Sequence, residues 1–164
     1  MKTLYIIRHA KSSWDFPDIP DDQRPLIEKG KNRTRKVLDH LASIDTPCPD
    51  CMMSSHAIRA LETARIFADT LNYPLDKIII SKKIYHGPAE HLFDQFYGLD
   101  DAIETVMIFG HNPTLTAFAN FFGNKAIEWI PTSGVVCVNL DTNRWTDMNL
   151  CTSRILFYIT PKSL

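Results

Sequence analysis

The run Leu4-Tyr5-Ile6-Ile7 constrains the fold more than any other stretch of the chain. It is apolar, β-branched and aromatic, uninterrupted by polar residues and too short for a helix, so it reads as a strand buried on both faces. Such strands occupy the interior of parallel sheets that helices cover on either side. The run stops at Arg8-His9, a fixed cation beside a titratable imidazole. Ligands of open α/β sheets bind beyond the carboxyl ends of the strands, so chemistry is expected there.

Two later segments repeat the design. Cys51-Met52-Met53-Ser54 reads as a second strand, after which Ser55-His56-Ala57-Ile58-Arg59 turns into a helix reaching about Leu71. Ala57, Ala60, Leu61, Ala64, Phe67 and Ala68 give that helix a small-residue packing face, and Asn72-Tyr73-Pro74 ends it. Thr105-Val106-Met107-Ile108-Phe109 reads as a strand ending in Gly110-His111-Asn112-Pro113, followed by a helix from Thr114 to Phe122 stopped at Gly123-Asn124. A further helix is expected over 27–43, a third strand at Ile78-Ile79-Ile80 and a short helix over 89–97. Val135 to Leu140 and Arg154 to Ile159 are β-rich and imply one or two more strands, at least one antiparallel. The expected architecture is a three-layer α/β sandwich: a mostly parallel mixed sheet with helices on both faces.

The 164 residues are expected to form one domain, spanning 1–164. A net charge of -1 gives no bulk electrostatic reason to expect a nucleic-acid or anionic-membrane partner. No apolar run reaches transmembrane length and no signal-peptide pattern opens the chain, so a cytoplasmic protein is expected. In that setting Cys48, Cys51, Cys137 and Cys151 are not expected to build a disulfide framework. Cys48-Pro49-Asp50-Cys51 has the spacing of a redox motif but precedes its apolar run instead of following a strand, which favours incidental thiols.

If the strands are parallel neighbours, Arg8, His9, Arg59 and His111 open on one edge of the sheet. Two arginines and two histidines suit an anion with several oxygens, because guanidinium forks match phosphate oxygens in pairs. Arg59 also sits near a helix start, where free N–H groups favour an anion. A neutral imidazole is a competent nucleophile toward phosphorus when its other ring nitrogen keeps a proton and is held, usually by a backbone carbonyl. A second, protonated histidine can stabilise charge on the equatorial oxygens. Positioning and electrostatics then carry much of a phosphoryl transfer, with no metal or cofactor required.

Three segments carry a family resemblance: Ile7-Arg8-His9-Ala10, Ser55-His56-Ala57-Ile58-Arg59-Ala60-Leu61-Glu62-Thr63-Ala64, and Gly110-His111-Asn112-Pro113. Together they resemble the motifs of the histidine phosphatase superfamily, whose fold is phosphoglycerate-mutase-like. Arg-His-Ala-Lys-Ser-Ser-Trp at 8–14, Arg24-Pro25-Leu26 and the short length resemble the SixA-type phosphohistidine phosphatases. Ala10 stands where many superfamily members have Gly. The resemblance implies a hydrolase in which His9 is the nucleophile and becomes phosphorylated, with Arg8, Arg59 and His111 forming the phosphate pocket. It also implies a phosphate-bearing substrate, phosphohistidine in a protein domain or alternatively a small phosphate monoester. A non-catalytic phosphate-binding module is the contrasting possibility.

Ser12, Arg24 and Asn112 are further candidates for substrate contact, although Arg24 could pair with Asp21 or Asp22 instead. Asp21 and Glu90 are the candidate proton donors to a leaving group. A labile P–N bond relaxes that need, because its imidazole leaving group can be protonated by solvent. His86 and His91, five residues apart, lack the spacing of a helical metal-ligand pair and read as surface residues. Trp14, Phe16 and Trp129-Ile130 could rim a docking surface, but ordinary loop packing is the simpler expectation.

Overall fold

The computed structural model describes residues 1–123 and 125–164. One six-stranded sheet runs in the order β3-β2-β4-β1-β5-β6. Its strands are β1 (Lys2–Arg8), β2 (Cys51–Ser55), β3 (Ile79–Ser81), β4 (Thr105–Gly110), β5 (Val135–Leu140) and β6 (Ser153–Ile159). The first four pair in parallel, and β5 pairs antiparallel with both β1 and β6. The apolar first strand therefore lies inside the sheet, with β4 on one side and β5 on the other.

Alternation along β1 divides the core in two. Leu4 and Ile6 face one layer, where they join Phe96 of α3 (Asp94–Tyr97), Leu115 and Phe118 of α4 (Thr114–Ala119), and Trp145. Tyr5 and Ile7 face the other, formed by Val37, Leu38 and Leu41 of α1 (Glu28–Ser43) and Ala64, Phe67 and Ala68 of α2 (Ile58–Leu71). All of these side chains are buried; a Leu, Ile or Phe so placed contributes about 1.5–3 kcal/mol through area removed from water. The small residues on α2 let that helix lie close to the sheet. Asn72 ends it in the left-handed conformation, at φ 59°, which Asn adopts at low cost.

Several expectations are corrected in detail. The 89–97 segment is a 3-10 turn over Ala89–Phe93 followed by one turn of α-helix. The helix expected to reach Phe122 ends at Ala119, where the next N–H groups tighten onto carbonyls three residues back; Asn124, the expected stop, lies outside the described residues. Within α1, Ala42 is exposed and Gly30 and Thr34 are buried instead. The triple-isoleucine strand is an edge, with Ile79 and Ile80 about half exposed and Ile78 buried just before it. Trp14 and Phe16 are 75% and 54% exposed, and Trp14 rests on the domain through the Arg24 guanidinium. No described helix is long and apolar enough to cross a membrane.

Candidate active site

The parallel register brings the strand ends together. Arg8 is opposite Gly110 and Ser54 is opposite Phe109, so the residues following β1, β2 and β4 share one edge. There a cavity of about 400 Å³ is lined by, among others, Arg8, His9, Ser12, Arg24, Arg59 and His111. Five of the sequence candidates, His9, Ser12, Arg24, Arg59 and His111, are more than nine-tenths buried.

His9 is held by the backbone on every side. Its N–H donates to the Gly110 carbonyl at 3.1 Å, and the Ser133 N–H donates to the carbonyls of Arg8 and His9 at 3.2 Å. Ser133 adopts a left-handed φ of 62°, a conformation costly for a residue with a β-carbon. It is buried, and its hydroxyl lies 2.9 Å from that of Thr34 on α1. His9 Nδ1 lies 2.7 Å from the Ala10 carbonyl oxygen. A carbonyl only accepts, so Nδ1 carries the proton and Nε2 keeps its lone pair. Ala10 is itself fixed, because its N–H donates to Thr63 Oγ1 at 2.9 Å and the Thr63 hydroxyl donates to the Arg59 carbonyl. Burial, aided by the Arg59, Arg8 and Arg24 cations and opposed by the Ala10 hydrogen bond, pushes the His9 pKa down to about 3. The imidazole is neutral at physiological pH, as a nucleophile must be.

His111 stands beside it, with ring centroids 5.1 Å apart. Its Nε2 lies 2.8 Å from Ser55 Oγ. Burial, then the neighbouring His9 and Arg59, lower its pKa to about 2. Burial above all, with the Arg59 charge adding to it, therefore disfavours a proton on His111. A bound dianion reverses the sign of the local field and favours that proton.

The arginines are gripped but not saturated. Arg8 donates to the Ile130 carbonyl at 3.1 Å and faces the Trp129 ring at 5.5 Å. Arg59, in the first turn of α2, donates to the Asp21 carbonyl at 2.6 Å and to its carboxylate at 2.9 Å. The buried Nε atoms of both, and Nδ1 of His111, have no hydrogen-bond partner among the described residues. Buried polar groups normally have partners, and unpaired ones around a cavity lined by arginines suit an anion.

Arg24 combines the two roles open to it. It pairs with Asp21 at 3.1 Å, donates to Ser12 Oγ at 2.7 Å, and stacks on Trp14 with 3.7 Å between guanidinium carbon and ring centroid, all while lining the cavity. Asp22 pairs instead with His56. The Asn112 side chain is committed to the protein: it donates to the Ile130 carbonyl and accepts from Thr116.

The two candidate acids part company. Glu90 is exposed and lines a separate depression with Phe93, Tyr97, Phe121 and Asn149, so it is set aside as a proton donor. Asp21 sits at the site, but as an ion. Burial raises its pKa, yet hydrogen bonds from Tyr85 and Arg59, the Arg59 charge and a hydrogen bond from Arg24 outweigh that and hold the carboxyl well below the usual range.

Tyr85, which no sequence motif singled out, joins the site after β3. It meets His111 edge-on at 5.1 Å and donates to the Asp21 carboxylate. His86, expected only at the surface, is exposed but lines the cavity as well. Among the described residues no three His, Cys, Asp or Glu side chains gather as a metal site. The four cysteines are free thiols.

Comparison with known proteins fits this geometry. The histidine phosphatase superfamily (branch 1) matches residues 4–95, more than half of the chain. An uncharacterized protein of Mycobacterium leprae is 26% identical, covering 95% of this chain and all of that protein. An uncharacterized chloroplastic protein of Arabidopsis thaliana is also 26% identical, covering 89% and 70%. Among solved structures, a candidate phosphohistidine phosphatase SixA from Agrobacterium tumefaciens superposes with a TM-score of 0.81 at 23% identity over 98% of each chain. The protein histidine phosphatase SixA complexed with tungstate gives 0.82 at 19% over 98% of each. A mycobacterial glucosyl-3-phosphoglycerate phosphatase shares the fold more distantly, at 0.64 and 11% over 94% of this chain and 97% of that one. With its sheet, its strand-end motifs and the family match in agreement, the chain belongs to the histidine phosphatase superfamily, branch 1.

Proposed function

We propose that the protein is a phosphatase that works through a phosphohistidine on His9 and takes its phosphoryl group from phosphohistidine in a protein domain. The observation that supports it most is the His9 ring: Nδ1 is held on the Ala10 carbonyl, and Nε2 is left as a neutral nucleophile inside an arginine-lined cavity.

In the first half-reaction, Nε2 of His9 forms a bond to phosphorus as the P–N bond to the substrate imidazole breaks. The leaving nitrogen collects a proton from solvent. Arg8, Arg59 and Arg24 hold the equatorial oxygens, and His111, protonated once the dianion is bound, donates to them. In the second half-reaction, water attacks phospho-His9, giving inorganic phosphate and regenerating the neutral ring. Asp21, ionised between two arginines, supplies no proton. That suits an imidazole leaving group better than an alkoxide. The likeness to SixA structures supports the same choice of substrate.

The test is rapid quench into alkali, which preserves phosphohistidine. Mixing with a histidine-phosphorylated phosphotransfer domain should give a transient phosphoenzyme, absent in His9→Ala, with slow turnover of a small monoester. Fast turnover of the monoester alone would move the function to small molecules. Release of phosphate by His9→Ala at the wild-type rate would refute the mechanism.

A further inference from the structure

A second groove, of about 370 Å³, opens beside the catalytic cavity, and Arg33 and Thr132 line both. Its walls come from distant parts of the chain: Arg33 and Lys36 of α1, the Trp129 loop, Tyr158 of β6, and Lys162 near the C-terminus. Among the described residues no carboxylate lines it. Arg33, Lys36 and Lys162 make no salt bridge among the described residues. The whole molecule is slightly acidic, so this uncompensated positive strip is a local feature and does not reflect overall composition.

Between the cations lies aromatic surface. Trp129 is 51% exposed and Tyr158 is 39% exposed. Both are held in place: the Tyr158 hydroxyl donates to the Trp129 carbonyl at 2.8 Å, and the Trp129 ring faces the Arg8 guanidinium. Rigid exposed aromatics among cations are the composition of recognition surfaces. Here the aromatic touches a residue of the phosphate pocket directly.

We infer that this groove docks an acidic segment of the phosphorylated partner protein, flanking the residue that enters the catalytic cavity. This rests on the phosphatase reading above and extends it to the partner. Carboxylates of the segment meet Arg33, Lys36 and Lys162, and an apolar side chain covers Trp129 and Tyr158. Continuity with the cavity through Arg33 and Thr132 lets one chain occupy both, so docking places the phosphorylated side chain. Charge complementarity of this kind acts mainly on encounter and on choice of partner.

The test uses the double reversal Lys36→Glu/Lys162→Glu, both residues exposed and neither in the phosphate pocket. With a histidine-phosphorylated photransfer domain bearing acidic residues beside its phosphohistidine, KM should rise about tenfold or more and its salt dependence should flatten. Turnover of a small aryl phosphate should stay within about twofold. An unchanged KM for the protein substrate overturns the docking site. A second measurement is independent of catalysis: NMR titration of wild-type protein with a synthetic peptide alternating glutamate and leucine. It should shift the Trp129 indole N–H, and the double variant should weaken binding about tenfold. Peptide binding without phosphatase activity sinks the enzymatic reading and leaves the groove. Phosphatase activity without peptide binding does the reverse. A response of Trp129 to a mononucleotide but not to the peptide would overturn the proposal in favour of a small aromatic anion.

Discussion

Keeping two buried histidines neutral makes the stability of this protein depend steeply on mild acid. His9 and His111 have pKa values near 3 and 2 in the folded protein and near 6.5 in the unfolded chain. Each folded value is depressed, so the unfolded state binds more protons below pH 6.5. Stability is full above that pH and falls as pH drops toward the folded values. At 1.36 kcal/mol per pH unit, lowering the pH from 7 to 5 costs about 2 kcal/mol per histidine, or about 4 for both. Asp21 does not blur this window, because its carboxyl is ionised in both states throughout it. The assay is urea unfolding of wild type and of His9→Gln/His111→Gln at both pH values. Wild type should lose about 4 kcal/mol more than the variant. Inorganic phosphate should reduce the loss in wild type only, by favouring a proton on His111. Equal losses in the two proteins would refute the reasoning.

Other perturbations probe the supports of the site. A β-carbon at Gly30 would come within 2.4 Å of the Lys11 carbonyl oxygen and 2.8 Å of its nitrogen, so Gly30→Ala should cost about 1–3 kcal/mol in denaturant unfolding and lower kcat by displacing the backbone after His9. Thr63→Val removes the acceptor for the Ala10 N–H; a stability loss of about 1–3 kcal/mol is expected, with phosphoenzyme formation slowed more than substrate binding. Asp21→Asn removes the carboxylate that pairs with Arg59 and Arg24, so the inhibition constant of inorganic phosphate should fall severalfold; a rise would contradict the assignment of Asp21 as a competitor for Arg59. Ser55→Ala leaves the buried Ala57 N–H and His111 Nε2 without their partner, so it should cost about 1–3 kcal/mol in denaturant unfolding and slow the phosphoenzyme burst.

What could be read from the sequence was whatever depends on local pattern. Leu4 to Ile7 announced an interior strand because nothing polar interrupts it, and the strand ends carried Arg8, His9, Arg59 and His111 to one edge once the strands were taken as parallel. Tyr85 was hidden because its place depends on sheet order: β3 lies two strands from β4, and the chain leaving it happens to return over His111. Ser133 has no local signature for its positive φ. The Asp21–Arg59 pair joins residues 38 apart, and competing partners such as Arg24 and Asp22 could not be ranked without it. Glu90 was a candidate only because it follows the arginine helix in the chain, and that order does not say that its 3-10 turn faces a separate depression. Trp14 was expected to pack as an ordinary loop residue, and it does so through its stack on Arg24 while most of its surface stays in water.

The position of β1 also says when the site can come into being. Tyr5 pairs with Met107 on one side and with Cys137 on the other, so the strand that carries His9 waits for partners a hundred or more residues downstream. Contacts of such long range are slow to form and come late in folding. During synthesis, the segment through β2 and α2 emerges with Arg59 in its sequence but with no β4 to receive β1. The pocket therefore closes only after β5 has left the ribosome, and no shorter nascent chain can turn over a phosphoryl group.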